Sequence, residues 1–298
     1  MTADTSVHIL WRRKAEQLKR IVKKTLITAD KDTVTELPTE KRLVGKTRSN
    51  ADAEQKRTEK YMDIELFYTD NGDDRGLPPV ILLHGNGGNS SSFFYVSDYF
   101  SKFRRVIAID TRGHGRSPKG TAPFTLKQFS ADLYEFMVAK NIEKADIIGY
   151  SDGGNIAMIF ATEHPEMVSS MVLNGANMFP DGLLKHELKQ MKRSYRRVAF
   201  RLKLDKENKK LKNEYDLLGL MVNEPSLTPE QLRRVDVPVL VLVGSHDVIA
   251  PEHTKLICAS FPNARLSVVE GEHNIVKTNS LPYIESVDEF FKSVHAEK

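Results

Sequence analysis

What constrains this 298-residue chain most is an alternation that starts near residue 61. Short runs rich in β-branched and apolar residues recur at IELFY (64–68), VILLHG (80–85), RVIAID (105–110), ADIIGYS (145–151), MVSSMVLNG (167–175), VPVLVLVGS (237–245) and ARLSVVEG (264–271). Helical patterns fall between them, at about 91–102, 125–141, 153–163 and 252–261, with a last one over 283–294. Strands that alternate with helices form a mostly parallel sheet covered on both faces, an α/β architecture. Ligands of such sheets bind beyond the carboxyl ends of the strands, so the chemistry is expected there.

One interval breaks the alternation. Residues 178–234 contain no strand-like run. Leu184, Leu188, Met191, Tyr195, Val198 and Leu202 recur at helical spacing, and Lys185, Lys189, Lys192, Arg193, Arg196, Arg197 and Arg201 crowd the other faces. The spacing predicts a helical lid over 178–234, inserted between two core segments, 61–177 and 235–298. The lid's basic face suits anionic substrates, a lipid surface or plain solvent.

Residues 1–60 read differently. They carry 15 Lys and Arg against 9 Asp and Glu, and so hold more than the whole net charge of +4. Val7, Trp11, Ala15, Leu18, Val22 and Leu26 mark an amphipathic helix with a basic opposite face, followed by a polar linker over 28–60. Such an arm either docks on the body, stays solvated, or makes peripheral contact with an anionic membrane. The first residues lack an apolar stretch with a small-residue cleavage site, and no run is long enough to span a bilayer. With one cysteine, Cys258, neither an internal disulfide nor a multi-cysteine metal site is expected. These features predict a cytoplasmic protein with no bound metal and no nucleic-acid partner.

The chemistry concentrates at Gly149-Tyr150-Ser151-Asp152-Gly153, a G-x-S-x-G motif between a strand and a helix. A turn this tight lifts the serine hydroxyl above the sheet and aims the next backbone N–H at a reacting carbonyl. A serine hydroxyl is a weak nucleophile until a base takes its proton and an acid orients that base. In the chain order Ser, acid, His, Asp247 follows the strand 237–245 and His273 follows the strand 264–271. His84, His114 and His246 precede or abut the acid, His253 lies in a helical run, and His295 is near the last residue. The expected catalytic residues are therefore Ser151, Asp247 and His273. Acyl transfer also needs donors for the developing oxyanion. One is the backbone N–H of Asp152. The other is assigned to Asn86 in HGNGGNSSSF, with Gly85 the near alternative. Gly85, Tyr150, Asp152, Met178 and Phe179 are expected to line the substrate site. For Met178 and Phe179, packing into the lid core stands equally open.

With these residues in place, the body from about residue 61 resembles the α/β-hydrolase superfamily. The resemblance rests on HGNGG (84–88), DTRGHGRS (110–117), GYSDGG (149–154), GSHDVIAPEH (244–253) and GEHN (271–274). It implies an eight-stranded, mostly parallel sheet with helices on both faces, a Ser-His-Asp triad and hydrolysis without a cofactor. It also implies that Asp110, Arg112 and the glycines of DTRGHGRS brace the loop near the nucleophile. Ser151 departs from the branches whose nucleophile is aspartate, the haloalkane dehalogenases and epoxide hydrolases. A narrower stretch, YSDGGNIAMIFATEHPEMVSSMVLNGAN, is similar to valacyclovir hydrolase-like α-amino-acid ester hydrolases. That likeness implies an Asp152 carboxylate holding a substrate ammonium; the other reading leaves Asp152 only its backbone N–H. The function expected is a serine hydrolase acting on a small-molecule carboxylic ester, thioester or amide. Alternatives on the same scaffold are a lipase-like monoacylglycerol or lysophospholipid hydrolase, a non-hydrolytic ligand sensor and a perhydrolase.

Overall fold

The computed structural model describes residues 63–296, and the arm and linker expected over 1–60 lie outside the described residues. Seven strands form one sheet: β1 Tyr68–Asn71, β2 Val80–Leu83, β3 Val106–Ile109, β4 Ala145–Tyr150, β5 Val168–Asn174, β6 Val239–His246 and β7 Ala264–Glu272. Their order is β1-β3-β2-β4-β5-β6-β7. Only β1 runs antiparallel to its neighbour.

The apolar runs split by alternation between two cores. Ile81, Leu83, Ile107, Ile109, Ile147, Met171, Leu173, Val239 and Val241 pack on one face with α2 Leu126–Ala139, α3 Asp152–Glu163 and α7 Pro251–Ser260. Val80, Leu82, Val106, Ala108, Ile148, Val172, Leu240 and Leu242 pack on the other, beneath α1 Phe94–Phe100 and α9 Ser280–His295. The segment 178–234, where a lid is expected, contributes α4 Lys185–Leu204, α5 Lys209–Asn223 and the short α6 Pro229–Leu232; α8 Ile275–Thr278 follows β7.

The described residues hold seven strands where the resemblance implies eight. The run IELFY does not form a strand over 64–68; pairing starts only at Tyr68, opposite Ile109. Ile64 and Leu66 are buried. The backbone of Phe67 is taken up by the loop after β3, its N–H donating to Ser117 Oγ (2.8 Å) and its carbonyl accepting from Asp110 N–H (2.9 Å).

The topology fixes where a ligand can sit. From β2 the chain crosses to β3 on one side, then returns to β4 on the other side of β2. The carboxyl ends of β2 and β4 therefore flank the point where strand order reverses, which is where ligands of open α/β sheets bind. The HGNGG loop and the G-x-S-x-G turn follow those two ends.

Candidate active site

Between the end of β4 at Tyr150 and the start of α3 at Asp152 the turn is a single residue, Ser151, at φ 54° and ψ −119°. Only Ser151 and Asn141 among the described non-glycine residues have positive φ. Such a conformation costs on the order of 1–3 kcal/mol and persists only where its surroundings enforce it. Here they do: Ser151 N–H donates to the Asn174 carbonyl (2.8 Å), and the Ser151 carbonyl accepts from Gly154 N–H (2.8 Å) and Asn155 N–H (3.1 Å). The flanking glycines are steric necessities. A Cβ on Gly149 would overlap the Gly153 carbonyl, and a Cβ on Gly153 would overlap the Leu83 carbonyl at the end of β2.

The register of β6 and β7 pairs His246 with Glu272, so the next residues, Asp247 and His273, leave the sheet side by side. His273 Nδ1 donates to Asp247 Oδ1 at 2.7 Å. Since a carboxylate only accepts, this bond fixes the proton on Nδ1 and leaves Nε2 as acceptor. Ser151 Oγ lies 3.0 Å from that Nε2. Asp247 is buried and also accepts from Ile249 N–H at 3.0 Å. Room for the His–Asp pair comes from Gly175 (φ 58°), where a Cβ would stand 2.8 Å from the imidazole. The Tyr150 ring packs 5.2 Å from the His273 ring, and burial, more than the nearby Asp247 and Asp152, pushes its phenol pKa up to about 12.

The loop after β2 is fixed by a residue that sequence reasoning passed over as a possible base. Buried His84 accepts from Thr111 N–H at Nε2 (3.1 Å), so its Nδ1–H donates to the Gly85 carbonyl (2.8 Å). Burial drops its pKa to about 4, which keeps the ring neutral in this arrangement at physiological pH. A Cβ on Gly85 would stand 3.0 Å from both Ser151 Cβ and Tyr150. The Asn86 amide reaches both ways, donating to Asp152 Oδ2 (2.9 Å) and to the Leu217 carbonyl in α5 (3.1 Å). The Asp152 N–H, at the first position of α3, has no acceptor within its helix and forms part of the positive end of the helix dipole.

The Asp152 side chain is buried, and burial raises its pKa against the opposing pull of the Asn86 bond. Its other oxygen lies 3.4 Å from Asn155 Nδ2. Asn155 in turn pairs twice with Asn177, accepting from its N–H (2.8 Å) and donating to its Oδ1 (3.0 Å).

The remaining expected residues fall outside this cluster. Met178 is fully buried in the core beneath α3, with its N–H donating to His253 Nε2 at 2.9 Å. Phe179 packs edge-on to His253, with ring centroids 4.6 Å apart. Both belong to the apolar cluster on the α2–α3–α7 face of the sheet, Met178 buried and Phe179 partly buried. His253 and His295 are both engaged elsewhere: burial lowers His253 to about 4, and His295 lies 2.8 Å from buried Asp146. The DTRGHGRS loop is a brace. Asp110 accepts from Ser90 N–H (2.6 Å) and Arg116 N–H (2.8 Å), tying it to the loop after β2. Arg112, fully buried, makes two 2.7 Å bonds to Asp132 and a third, also 2.7 Å, to Asp63. No group of three or more His, Cys, Asp or Glu among the described residues is arranged to hold a metal ion.

Comparison with known proteins places these features in context. A family model described as the alpha/beta hydrolase fold matches residues 78–231. The human protein named serine hydrolase BPHL is 26% identical over 245 residues, which cover 77% of this chain and 81% of that protein. An uncharacterized protein of Mycobacterium tuberculosis is 33% identical over 99 residues, 33% of this chain but only 29% of that relative's own length. Among solved structures, a thermophilic esterase from Thermogutta terrifontis superposes with a TM-score of 0.63 at 22% identity, covering 78% of this chain and 94% of that one.

Proposed function

The chain belongs to the α/β-hydrolase family, and on that premise we propose that it is a serine hydrolase that cleaves a small-molecule carboxylic ester through an acyl-enzyme on Ser151. The observation that carries this reading is the chain of two hydrogen bonds, Ser151 Oγ to His273 Nε2 at 3.0 Å and His273 Nδ1 to Asp247 Oδ1 at 2.7 Å.

Each step follows from that geometry. Ser151 Oγ attacks the carbonyl carbon as its proton passes to His273 Nε2. The imidazolium that forms is stabilised by the buried Asp247 carboxylate, which also holds the ring in the tautomer the first step needs. The carbonyl oxygen, now an oxyanion, accepts from the backbone N–H groups of Asn86 and Asp152. His273 then returns the proton to the leaving alcohol. A water molecule repeats the sequence on the acyl-enzyme and frees the acid. In this reading the Asp152 carboxylate braces the oxyanion loop, a role supported by its bond from Asn86 and its reach to Asn155.

The test is turnover of p-nitrophenyl butyrate by wild type and Ser151→Ala, with labelling by a fluorophosphonate. A loss of at least ~10³-fold in kcat, with the label on Ser151 alone, is expected. Undiminished hydrolysis by Ser151→Ala would refute the assignment.

A further inference from the structure

The outward side of α4 is not an ordinary solvated helix face. Its inner side is settled: Leu188 packs with Leu183 and Ile249, Val198 is buried, and Tyr195 stacks on Tyr215 of α5 with the hydroxyls 2.7 Å apart. At 100° per residue, Arg196, Lys189, Phe200, Arg193, Leu204 and Arg197 fall, in that order, within an arc of about 100° on the opposite side. All six are exposed. Phe200 is 64% and Leu204 75% exposed, one turn apart at the carboxyl end of the helix, directly beyond the cations.

The charge is as segregated as the apolar groups. Residues 185–212 carry twelve Lys and Arg against three Asp and Glu, whereas the rest of residues 61–298 carries 17 against 28. Among the described residues no carboxylate forms an ion pair with Lys189, Arg193, Arg196 or Arg197; Asp181 pairs with Lys192, and Glu187 lies 3.3 Å from His186.

From this arrangement we infer that the outer face of α4 docks on an anionic lipid surface, with Phe200 and Leu204 entering the acyl boundary while Lys189, Arg193, Arg196 and Arg197 meet the headgroups. Both halves of the pattern point to that one partner. A polyanion such as nucleic acid satisfies the cations but offers no hydrocarbon for a Leu side chain three-quarters exposed. An anionic bilayer supplies both in one plane: its headgroups meet the cations along the outer arc of α4, and its acyl boundary takes the two apolar side chains that stand out from the same arc at the carboxyl end. The net negative charge of the rest of the body orients the molecule, turning the lid toward the membrane and the sheet away from it. No helix among the described residues is long and apolar enough to cross a bilayer, so the contact is at the surface. The inference is independent of the catalytic proposal, since binding requires no turnover.

The experiment is sedimentation of the full chain with phosphatidylcholine vesicles, with and without about a third phosphatidylserine, at low and high salt. Wild type should bind the anionic vesicles and release in high salt. Each cation near such a surface is worth about fivefold in partitioning, so Arg193→Gln/Arg196→Gln/Arg197→Gln should bind ~100-fold more weakly. Phe200→Ser/Leu204→Ser should lose at least ~10-fold, given the apolar area withdrawn. All five side chains are exposed, so the thermal midpoint should not move. Absence of wild-type binding would overturn the inference. Binding untouched by the lid variants would overturn it too, because the basic segment 1–60 would then carry the contact. Binding that depends on the arginines but not on Phe200 and Leu204, and that a single-stranded oligonucleotide competes away, would identify a polyanion site instead.

Discussion

Ser151 holds a backbone conformation that a side chain disfavours, and the size of that penalty can be read by comparing two inactive variants. Ser151→Ala and Ser151→Gly both remove Oγ and its 3.0 Å bond to His273, so that loss cancels between them. What remains is Ala against Gly at φ 54°, ψ −119°. Strain at such a position is about 1–3 kcal/mol for a residue with a Cβ and absent for glycine. Against glycine stand its extra unfolded-state entropy, about 0.5–1 kcal/mol, and a few tenths for the half-buried methyl that packs on Gly85. The balance favours Ser151→Gly by about 1 kcal/mol. For a body of this size that is a thermal midpoint ~2–4 °C above that of Ser151→Ala. The control is Ala157→Gly, buried in the interior of the same α3. There the order inverts and glycine costs at least ~1 kcal/mol. Calorimetry on the variants measures this directly. If Ser151→Ala melts at or above Ser151→Gly, the turn is not strained and the account of the elbow fails.

Three more outcomes follow from the same contacts. Gly153→Ala should lower the urea midpoint by the equivalent of ~3 kcal/mol or more, because its Cβ would meet the Leu83 carbonyl in the rigid centre of the sheet; a neutral effect would contradict the close approach of α3 to β2. Stability should fall as pH drops from 6.5 toward 4. His84 and His253 have folded pKa values near 4 against an ordinary 6.5. The unfolded chain therefore binds protons in that window that the folded chain refuses, and stability present above pH 6.5 is lost at up to ~1.4 kcal/mol per pH unit for each histidine; a urea midpoint that stays flat or rises between pH 6.5 and 5 would refute this. Finally, Asp152→Asn should lower kcat on a valyl ester and on its isostere without the amine by the same modest factor, ~10-fold or less. A loss confined to the valyl ester would show that Asp152 binds an ammonium.

The fold was legible where burial is two-sided. β2 and β3 are unbroken apolar runs, and β4, β5 and β6 each hold an apolar stretch of at least three residues (Ile147–Ile148 with Gly149, Met171–Leu173, Val239–Val243), because helices cover both faces of the sheet. IELFY was not legible: Ile64 and Leu66 are apolar because they are buried, yet the backbone of Phe67 bonds to a loop formed by residues 110–117. Ser151, Asp247 and His273 could be picked out because each directly follows a strand, and the sheet register then brings them together. The roles of the His84 and Asn86 side chains, and of the missing one at Gly175, could not. Each depends on a partner from another element: Thr111, Leu217 and His273. Met178 follows a strand end as Phe179 does, and the sequence carries no sign that its N–H would be taken by His253, 75 residues away.

A carboxylate next to the nucleophile would be a liability if it merely faced the developing oxyanion. The contacts of Asp152 explain why it is tolerated. It sits in the first turn of α3, where the helix dipole favours negative charge, and Asn86 donates to it while Asn155 lies within reach. The Asn86 bond bears directly on the proposed chemistry. One side chain joins the elbow to the loop that supplies the second oxyanion donor, and the same amide continues to the Leu217 carbonyl in the lid. Asp216, one residue earlier in α5, pairs with Lys119 of the core. Displacing α5 therefore removes a partner of Asn86 without touching the register that holds Ser151, His273 and Asp247. The segment 178–234 also meets the other side of the site: Leu184 N–H donates to the Val248 carbonyl, and Leu183 pairs with Ile249, whose own N–H donates to Asp247 Oδ1, so in the proposed mechanism its position bears on the oxyanion loop and on Asp247 alike.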